Sequence, residues 1–142
     1  YGTYKREPEN TKLLSKDLRE LYDKADLVVG HNLASFDDKV ANTTFICNKI
    51  LPPKPHRVID TLKVAKKYFR FSSNSLKSLA FRLGLPLKEE TGGIKLWIGC
   101  MHGDPASWRL MEKYNKQDIV VLQSVYREFL PWLNLPKLKR LR

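Results

Sequence analysis

The sequence is poor in cysteine and in long apolar runs, and each shortage excludes a class of protein. Its 142 residues include only two cysteines, Cys47 and Cys100, too few for the disulfide framework of a small secreted domain. No apolar run approaches the roughly 20 residues that a membrane span requires. No basic segment followed by an apolar run opens the chain, as a secretory signal would. We therefore expect an intracellular protein, cytoplasmic or nucleoid-associated, with no membrane partner.

Acidic residues are also scarce relative to basic ones. The chain carries 26 Lys and Arg against 15 Asp and Glu, a net charge of +11, and a basic surface of this kind attracts polyanions. Nucleic acid is therefore the expected partner. The basic residues concentrate in two clusters, each of which could bind a nucleic-acid backbone. Alternatively, the first is a solvated helix face and the second a frayed tail. The first cluster is Lys63, Lys66, Lys67 and Arg70, and the second is Lys137, Lys139, Arg140 and Arg142.

The length fits one domain, and an apolar content of 42% is enough for one hydrophobic core. Periodicity then predicts alternating helices and strands, and hence an α/β fold. Residues 85–103 show no clean period. We expect one domain over residues 1–133 and a basic C-terminal tail over residues 134–142. The predicted elements are helices over 11–25, 36–50, 61–69, 76–83 and 105–131, the last with a bend near 114–118, and strands over 27–30 and 57–59.

Polar residues with possible chemistry follow the first predicted strand. The segment from Asn32 to Asp37 comes directly after Gly30, and open α/β sheets place ligands at the carboxyl ends of their strands. Asp37 falls in the first turn of the next predicted helix, where its carboxylate could help to hold a hard cation. The alternative is that Asp37 only offsets the helix dipole.

A second candidate pair lies in the last predicted helix. Tyr114 and Asp118 are four residues apart and therefore share one helix face. A phenol and a carboxylate placed in this way could address one bound water or metal ion. Alternatively, Tyr114 is a core aromatic and Asp118 a surface acid.

Together these motifs resemble two conserved blocks of the proofreading-type (DnaQ-like) 3′–5′ exonucleases, which have the ribonuclease H-like fold. Their second block, Asn-x-x-x-Phe-Asp, is matched by Asn32, Phe36 and Asp37, and their third, Tyr-x-x-x-Asp, by Tyr114 and Asp118. The tyrosine indicates the DEDDy subtype. The resemblance covers about residues 26–130 and includes strand and helix elements of the family at residues 58–62, 75–80 and 83–85.

The resemblance implies two-metal hydrolysis of phosphodiester bonds at single-stranded nucleic-acid ends, DNA in our expectation, with Mg²⁺ or Mn²⁺ as the two ions. Asp118 would ligate the ion that carries the attacking water, and Tyr114 would orient that water. Asp37 would serve the second ion. Asn32 and Phe36 would contact the terminal nucleotide.

The family's first block, Asp-x-Glu on the first strand, has no match before Asp37. Glu7 and Glu9 flank a proline in a polar segment, which does not suit a buried strand, and residues 1–4 resemble the third strand of the fold instead. We therefore expect a ribonuclease H-like mixed sheet, flanked by helices, that lacks its first two strands and is completed by an N-terminal segment or a second chain. Metal binding by this chain alone would be weak or absent, and the chain would be inactive. The alternative is a catalytically silent nucleic-acid-binding or interaction module of the same fold.

Two further features have structural interpretations. Asp60 follows the second predicted strand and is expected to be the N-cap of the next helix rather than a metal ligand. Phe69 and Phe71 alternate with Arg70 and could stack unpaired bases. Core packing is the expectation for at least one of the two rings.

Overall fold

The computed structural model of the protein describes residues 10–86 and 92–140. The strand expected over residues 1–4, and Glu7 and Glu9, lie outside the described residues. The chain divides into two compact units, Tyr1–Lys63 and Val64–Arg142. The elements in chain order are α1 (Asn10–Lys24), β1 (Leu27–Gly30), α2 (Asp37–Cys47), β2 (Arg57–Asp60), α3 (Thr61–Tyr68), α4 (Leu76–Arg82), α5 (Gly93–Met101) and α6 (Pro105–Arg140).

The described sheet consists of β1 and β2, which run parallel with Leu27 opposite Arg57 and Gly30 opposite Asp60. Both strands begin and end within one residue of their predicted bounds, and the helix-rich α/β architecture agrees with the expected ribonuclease H-like class. Burial differs from the prediction of a buried strand, because Leu27, Val28 and Val29 are only half-buried. The described residues add no further strand to this pair.

In the first unit, α1 lies against α2. The Tyr22 hydroxyl donates a hydrogen bond to Asp38 Oδ1 at 3.1 Å. The Tyr22 ring meets the buried Phe45 edge-on, with 6.5 Å between ring centroids. Leu13 and Leu21, part of the apolar pattern that predicts α1, remain exposed, so the pattern identifies the helix but not the residues that it buries.

In the second unit, α4 and α5 lie against α6. Ser75 caps α4 by accepting the Ser78 N–H at 3.2 Å, and Gly84 follows the helix with φ of +67°. Such a φ favours a residue without Cβ, so glycine suits this position at the end of α4. Phe69 stacks on the fully buried Phe129 at 5.2 Å between centroids, which confirms the expectation that at least one of the two phenylalanines packs in the core.

Two helices depart from the prediction. The helix α5 occupies residues that show no clean period, because it carries apolar side chains on more than one face: Leu96 and Cys100 are buried, whereas Ile94, Trp97, Ile98 and Met101 are exposed. The helix α6 continues beyond Pro131, where the prediction ends it. Proline removes one backbone donor, and its ring clashes with the carbonyl four residues earlier. These effects weaken a helix locally without always ending it. None of the helices in the described ranges is long and apolar enough to cross a membrane.

Candidate functional site

The carboxyl ends of β1 and β2 lie side by side and form the floor of the candidate site in the first unit. Because the strands are parallel and Gly30 pairs with Asp60, the residues that follow each strand leave from the same edge of the sheet. This is the edge at which α/β sheets bind ligands. It carries the loop from His31 to Phe36 and the first turn of α3.

Asp60 joins these two segments through its buried carboxylate. Asp60 Oδ1 accepts the Leu62 N–H at 3.0 Å, which is the bond of an N-cap residue, so the N-cap prediction for Asp60 is confirmed. The same oxygen accepts the Asn32 N–H at 2.9 Å, and Oδ2 accepts the Ala34 N–H at 3.4 Å. Asp60 therefore positions the loop after β1 as well as capping α3.

A second hydrogen-bonded chain crosses the same edge. The hydroxyl of Thr61, which is fully buried, donates to the Gly30 carbonyl at 3.1 Å. Because that donation uses the only hydroxyl proton, the Thr61 oxygen accepts from His31 Nδ1, which lies 2.9 Å away. The sequence carries no local signal for this contact, which spans 30 residues.

The three residues that match the second block of the family lie together in this loop. Asn32 has φ of +63°, a left-handed conformation that asparagine tolerates better than most residues. Its carbonyl accepts the Phe36 N–H at 3.2 Å and closes the loop into a turn. Phe36 is 63% exposed, and Asp37 is the first residue of α2. The structure thus brings Asn32, Phe36 and Asp37 to one exposed edge.

The electrostatic environment of Asp37 disfavours its negative charge. Partial burial raises the pKa of this carboxyl, and the neighbouring negative charge of Asp38 and the more remote one of Asp60 raise it further, against a backbone hydrogen bond that lowers it. Burial, followed by Asp38, also raises the pKa of Tyr22 to about 12. A bound cation would relieve the repulsion at Asp37, since a nearby positive charge favours the ionised form.

The two residues that match the third block lie in the second unit, on α6. Tyr114 is buried in a cluster with Leu96 and Cys100 of α5, and Trp108 and Met111 pack against that cluster. Tyr114 therefore contributes a core aromatic, which is one of the two interpretations that the sequence leaves open. A role for its hydroxyl in orienting water stays a prediction.

Asp118 is half-buried and lies one turn after Tyr114 on α6. Its expected role as a metal ligand, like that of Asp37, stays a prediction. Among the residues that the structure describes, no three His, Cys, Asp or Glu side chains group as a metal site would require.

A family model described as that of the RNase H superfamily matches residues 1–130. No curated protein matches the chain, and no solved structure matches it either.

Proposed function

Because the chain belongs to the RNase H superfamily, we propose that it is a domain of the metal-dependent 3′–5′ exonuclease type that binds single-stranded nucleic-acid ends, with DNA as the preferred substrate. Membership of the superfamily indicates a nuclease-like domain and a nucleic-acid partner. The observation that carries the finer proposal is the loop after β1, where Asn32, Phe36 and Asp37 lie at the carboxyl edge of a parallel sheet.

The finer assignment is to the proofreading-type (DnaQ-like) family and its DEDDy subtype. In this proposal Asn32 and the exposed Phe36 contact the terminal nucleotide. Asp37 and Asp118 are ligands of two divalent ions, Mg²⁺ or Mn²⁺, and Tyr114 orients the attacking water. The fold that carries these residues would extend over residues 1–133 and be followed by a basic tail over residues 134–142.

The chemistry of the donor set fits hard divalent ions only in part. Carboxylate oxygens are the ligands that Mg²⁺ and Mn²⁺ prefer, and repulsion from Asp38 and Asp60 at Asp37 suits a cation. The bound ions would supply an activated water and stabilise the leaving oxygen. However, Asp-x-Glu occurs nowhere in the 142 residues, which leaves two of the four carboxylates that the family resemblance implies.

We therefore expect this chain to bind single-stranded nucleic acid without cleaving it. The net charge of +11 does not depend on the absent block, and binding through phosphates falls with added salt. The same absence favours a second candidate function, a catalytically silent nucleic-acid-binding or interaction module with this fold. In both cases binding survives and cleavage is negligible for the 142 residues alone.

The test is an assay of the purified chain on end-labelled single-stranded DNA and RNA, with Mg²⁺, Mn²⁺ or chelator, and with binding measured across a salt series. We expect binding that weakens steeply with salt, tighter binding of DNA than of RNA, and no shortening of the labelled strand. Digestion that requires Mg²⁺ and disappears in Asp118→Ala, but not in the surface control Asp17→Ala, would show that other residues replace the absent carboxylates. Failure to bind either nucleic acid would overturn the proposed function.

A further inference from the structure

Three aromatic side chains of the second unit form a contiguous group, which we call the aromatic cluster: Phe69, Phe71 and Trp132. The Phe69 ring is central. Its centroid lies 5.5 Å from that of Phe71 and 5.0 Å from that of Trp132, which it meets nearly edge-on. The cluster is thus a joint feature of the segment after α3 and of the helix α6.

The cluster is anchored on one side and open on the other. Phe69 stacks on Phe129, which is 1% exposed and belongs to the core. Trp132, by contrast, is 45% exposed, and Phe71 is half-buried. Since the anchoring ring holds the outer rings in place, they can accept a flat ligand with little loss of side-chain freedom.

Exposed cations flank the aromatic rings along the chain. Lys66 and Lys67 precede Phe69 in the last turn of α3, and Arg70 separates Phe69 from Phe71. The Lys67 Nζ atom lies 5.0 Å from the centroid of the Tyr68 ring. Residues 61–88 contain no Asp or Glu, so no acidic residue of this stretch offsets these charges.

We propose that the aromatic cluster is a base-stacking site for single-stranded nucleic acid, with Lys66, Lys67 and Arg70 binding the phosphates beside the stacked base. Exposed aromatic rings beside cations are the combination by which proteins hold single strands, because every base has a face to stack and every linkage a charge. Paired bases present no free face, so the site selects single strands over duplexes. The inference rests on the proposed nucleic-acid function and adds contacts made by residues that belong to neither of the two matched blocks.

The experiment uses the full chain, a fluorescein-labelled oligothymidylate and a duplex of the same length. Trp132→Ala should weaken single-strand binding about fivefold or more, and Trp132→Phe, which keeps a ring, should weaken it less. Trp97 is the matched control, because it is also an exposed tryptophan of the second unit but lies on α5. Trp97→Ala should bind as the unaltered chain does.

Intrinsic fluorescence separates stacking from a structural role of Trp132. A stacked base quenches an indole, so oligothymidylate should quench the unaltered chain and Trp97→Phe, and quench Trp132→Phe much less. This readout keeps the test decisive even if Trp132→Ala fails to fold. Replacing Lys66, Lys67 and Arg70 singly by Gln should lower the dependence of log affinity on log salt by roughly 0.7 for each lost phosphate contact.

The outcomes distinguish the two proposals. Undiminished quenching in Trp132→Phe, or normal binding in a folded Trp132→Ala, would overturn the stacking site and leave the proposed function intact. Equal affinity for duplex and single strand would also overturn it. If the unaltered chain binds no nucleic acid, the proposed function fails, and this inference fails with it.

Discussion

The Asp60 carboxylate accepts the backbone N–H of Asn32 at 2.9 Å, across 28 residues of sequence. This bond ties the end of β2 to the loop that presents Asn32, Phe36 and Asp37. Asp60 is buried, and the backbone donors of Asn32, Ala34 and Leu62 satisfy its oxygens. A buried charge that is fully hydrogen-bonded makes its surroundings rigid, so the shape of the loop depends on Asp60.

Replacing Asp60 should therefore destabilise the protein more than the loss of a simple helix cap. We expect Asp60→Ala to lower the free energy of unfolding by about 2–3 kcal/mol, since it removes the cap and leaves further backbone donors unpaired. Asp60→Asn keeps one acceptor oxygen and should cost less. Urea unfolding measures both, with Asp17→Ala on the exposed side of α1 as a control within about 0.5 kcal/mol of the unaltered chain. A loss in Asp60→Ala no larger than in that control would contradict the role given to Asp60.

Gly30 is expected to tolerate no side chain. A Cβ added there would lie 2.6 Å from the Cβ of Leu33, which is buried. We expect Gly30→Ala to cost about 1–3 kcal/mol through overpacking, measured as a lower midpoint of thermal or urea unfolding. Gly92→Ala is the comparison, because the nearest atom to its added Cβ is 3.5 Å away, an ordinary contact. Equal losses in the two variants would show that the loop moves aside.

The raised pKa of Asp37 gives a test that separates the two interpretations of this residue. Because the pKa is raised above its ordinary value of 3.8 in the folded state, the folded state binds more protons just above that pH. The contribution of Asp37 to stability is therefore greatest below pH 3.8 and falls as pH rises through its folded-state pKa. Asp37→Asn removes this loss and should be more stable than the unaltered chain at pH 7 but not at pH 3.

If Asp37 served only to offset the dipole of α2, the outcome would have the opposite sign. The Asn variant would then lose about 0.3–1 kcal/mol at pH 7. Unfolding midpoints of the unaltered chain and Asp37→Asn, measured from pH 3 to pH 8, decide between the two. Asp17→Asn serves as the control for a general effect of net charge.

Tyr114 should be required for stability through its ring. Since it is 8% exposed among Leu96 and Cys100, Tyr114→Ala should cost about 3–5 kcal/mol, as truncation of a buried aromatic does. Tyr114→Phe keeps the ring and should stay within about 1 kcal/mol of the unaltered chain. A loss below 1 kcal/mol in Tyr114→Ala, seen in urea unfolding, would contradict its place in the core.

The local signals of the sequence identify most elements but not what they contact. β1 and β2 are recognisable because β-branched residues stand between Asp and Gly or Pro, and α4 because its apolar residues recur at helical spacing. The helix α5 has no such pattern, since its apolar residues lie on several faces. Pro131 suggests an end to α6 that the structure does not show. The rule that proline ends a helix considers only the residues near the proline and not the rest of a long helix.

The candidate site also combines features that the sequence predicts with features that it does not. The loop with Asn32 and Asp37 is predictable because both residues follow a strand, and the N-cap role of Asp60 because it precedes a helix. The bonds from Asp60 to the loop and from Thr61 to His31 are not predictable, because each joins residues about 30 positions apart. For Tyr114 the sequence allows both a core and a catalytic interpretation, and burial becomes known only from the fold.

The polar contacts at the ends of β1 and β2 also decide how the two strands are aligned. Each strand has four residues, and none of its apolar side chains is more than half-buried, so the hydrophobic pattern discriminates poorly between registers. A slip of two residues would keep every side chain on its own face, yet it would move Asp60 by roughly 6–7 Å and separate it from the Asn32 N–H. The same slip would break the bond from the Thr61 hydroxyl to the Gly30 carbonyl. The strands are thus held in register by the side chain of the last paired residue of β2 and by that of the residue after it, and a chain that lost both would lose two of the contacts that fix this alignment.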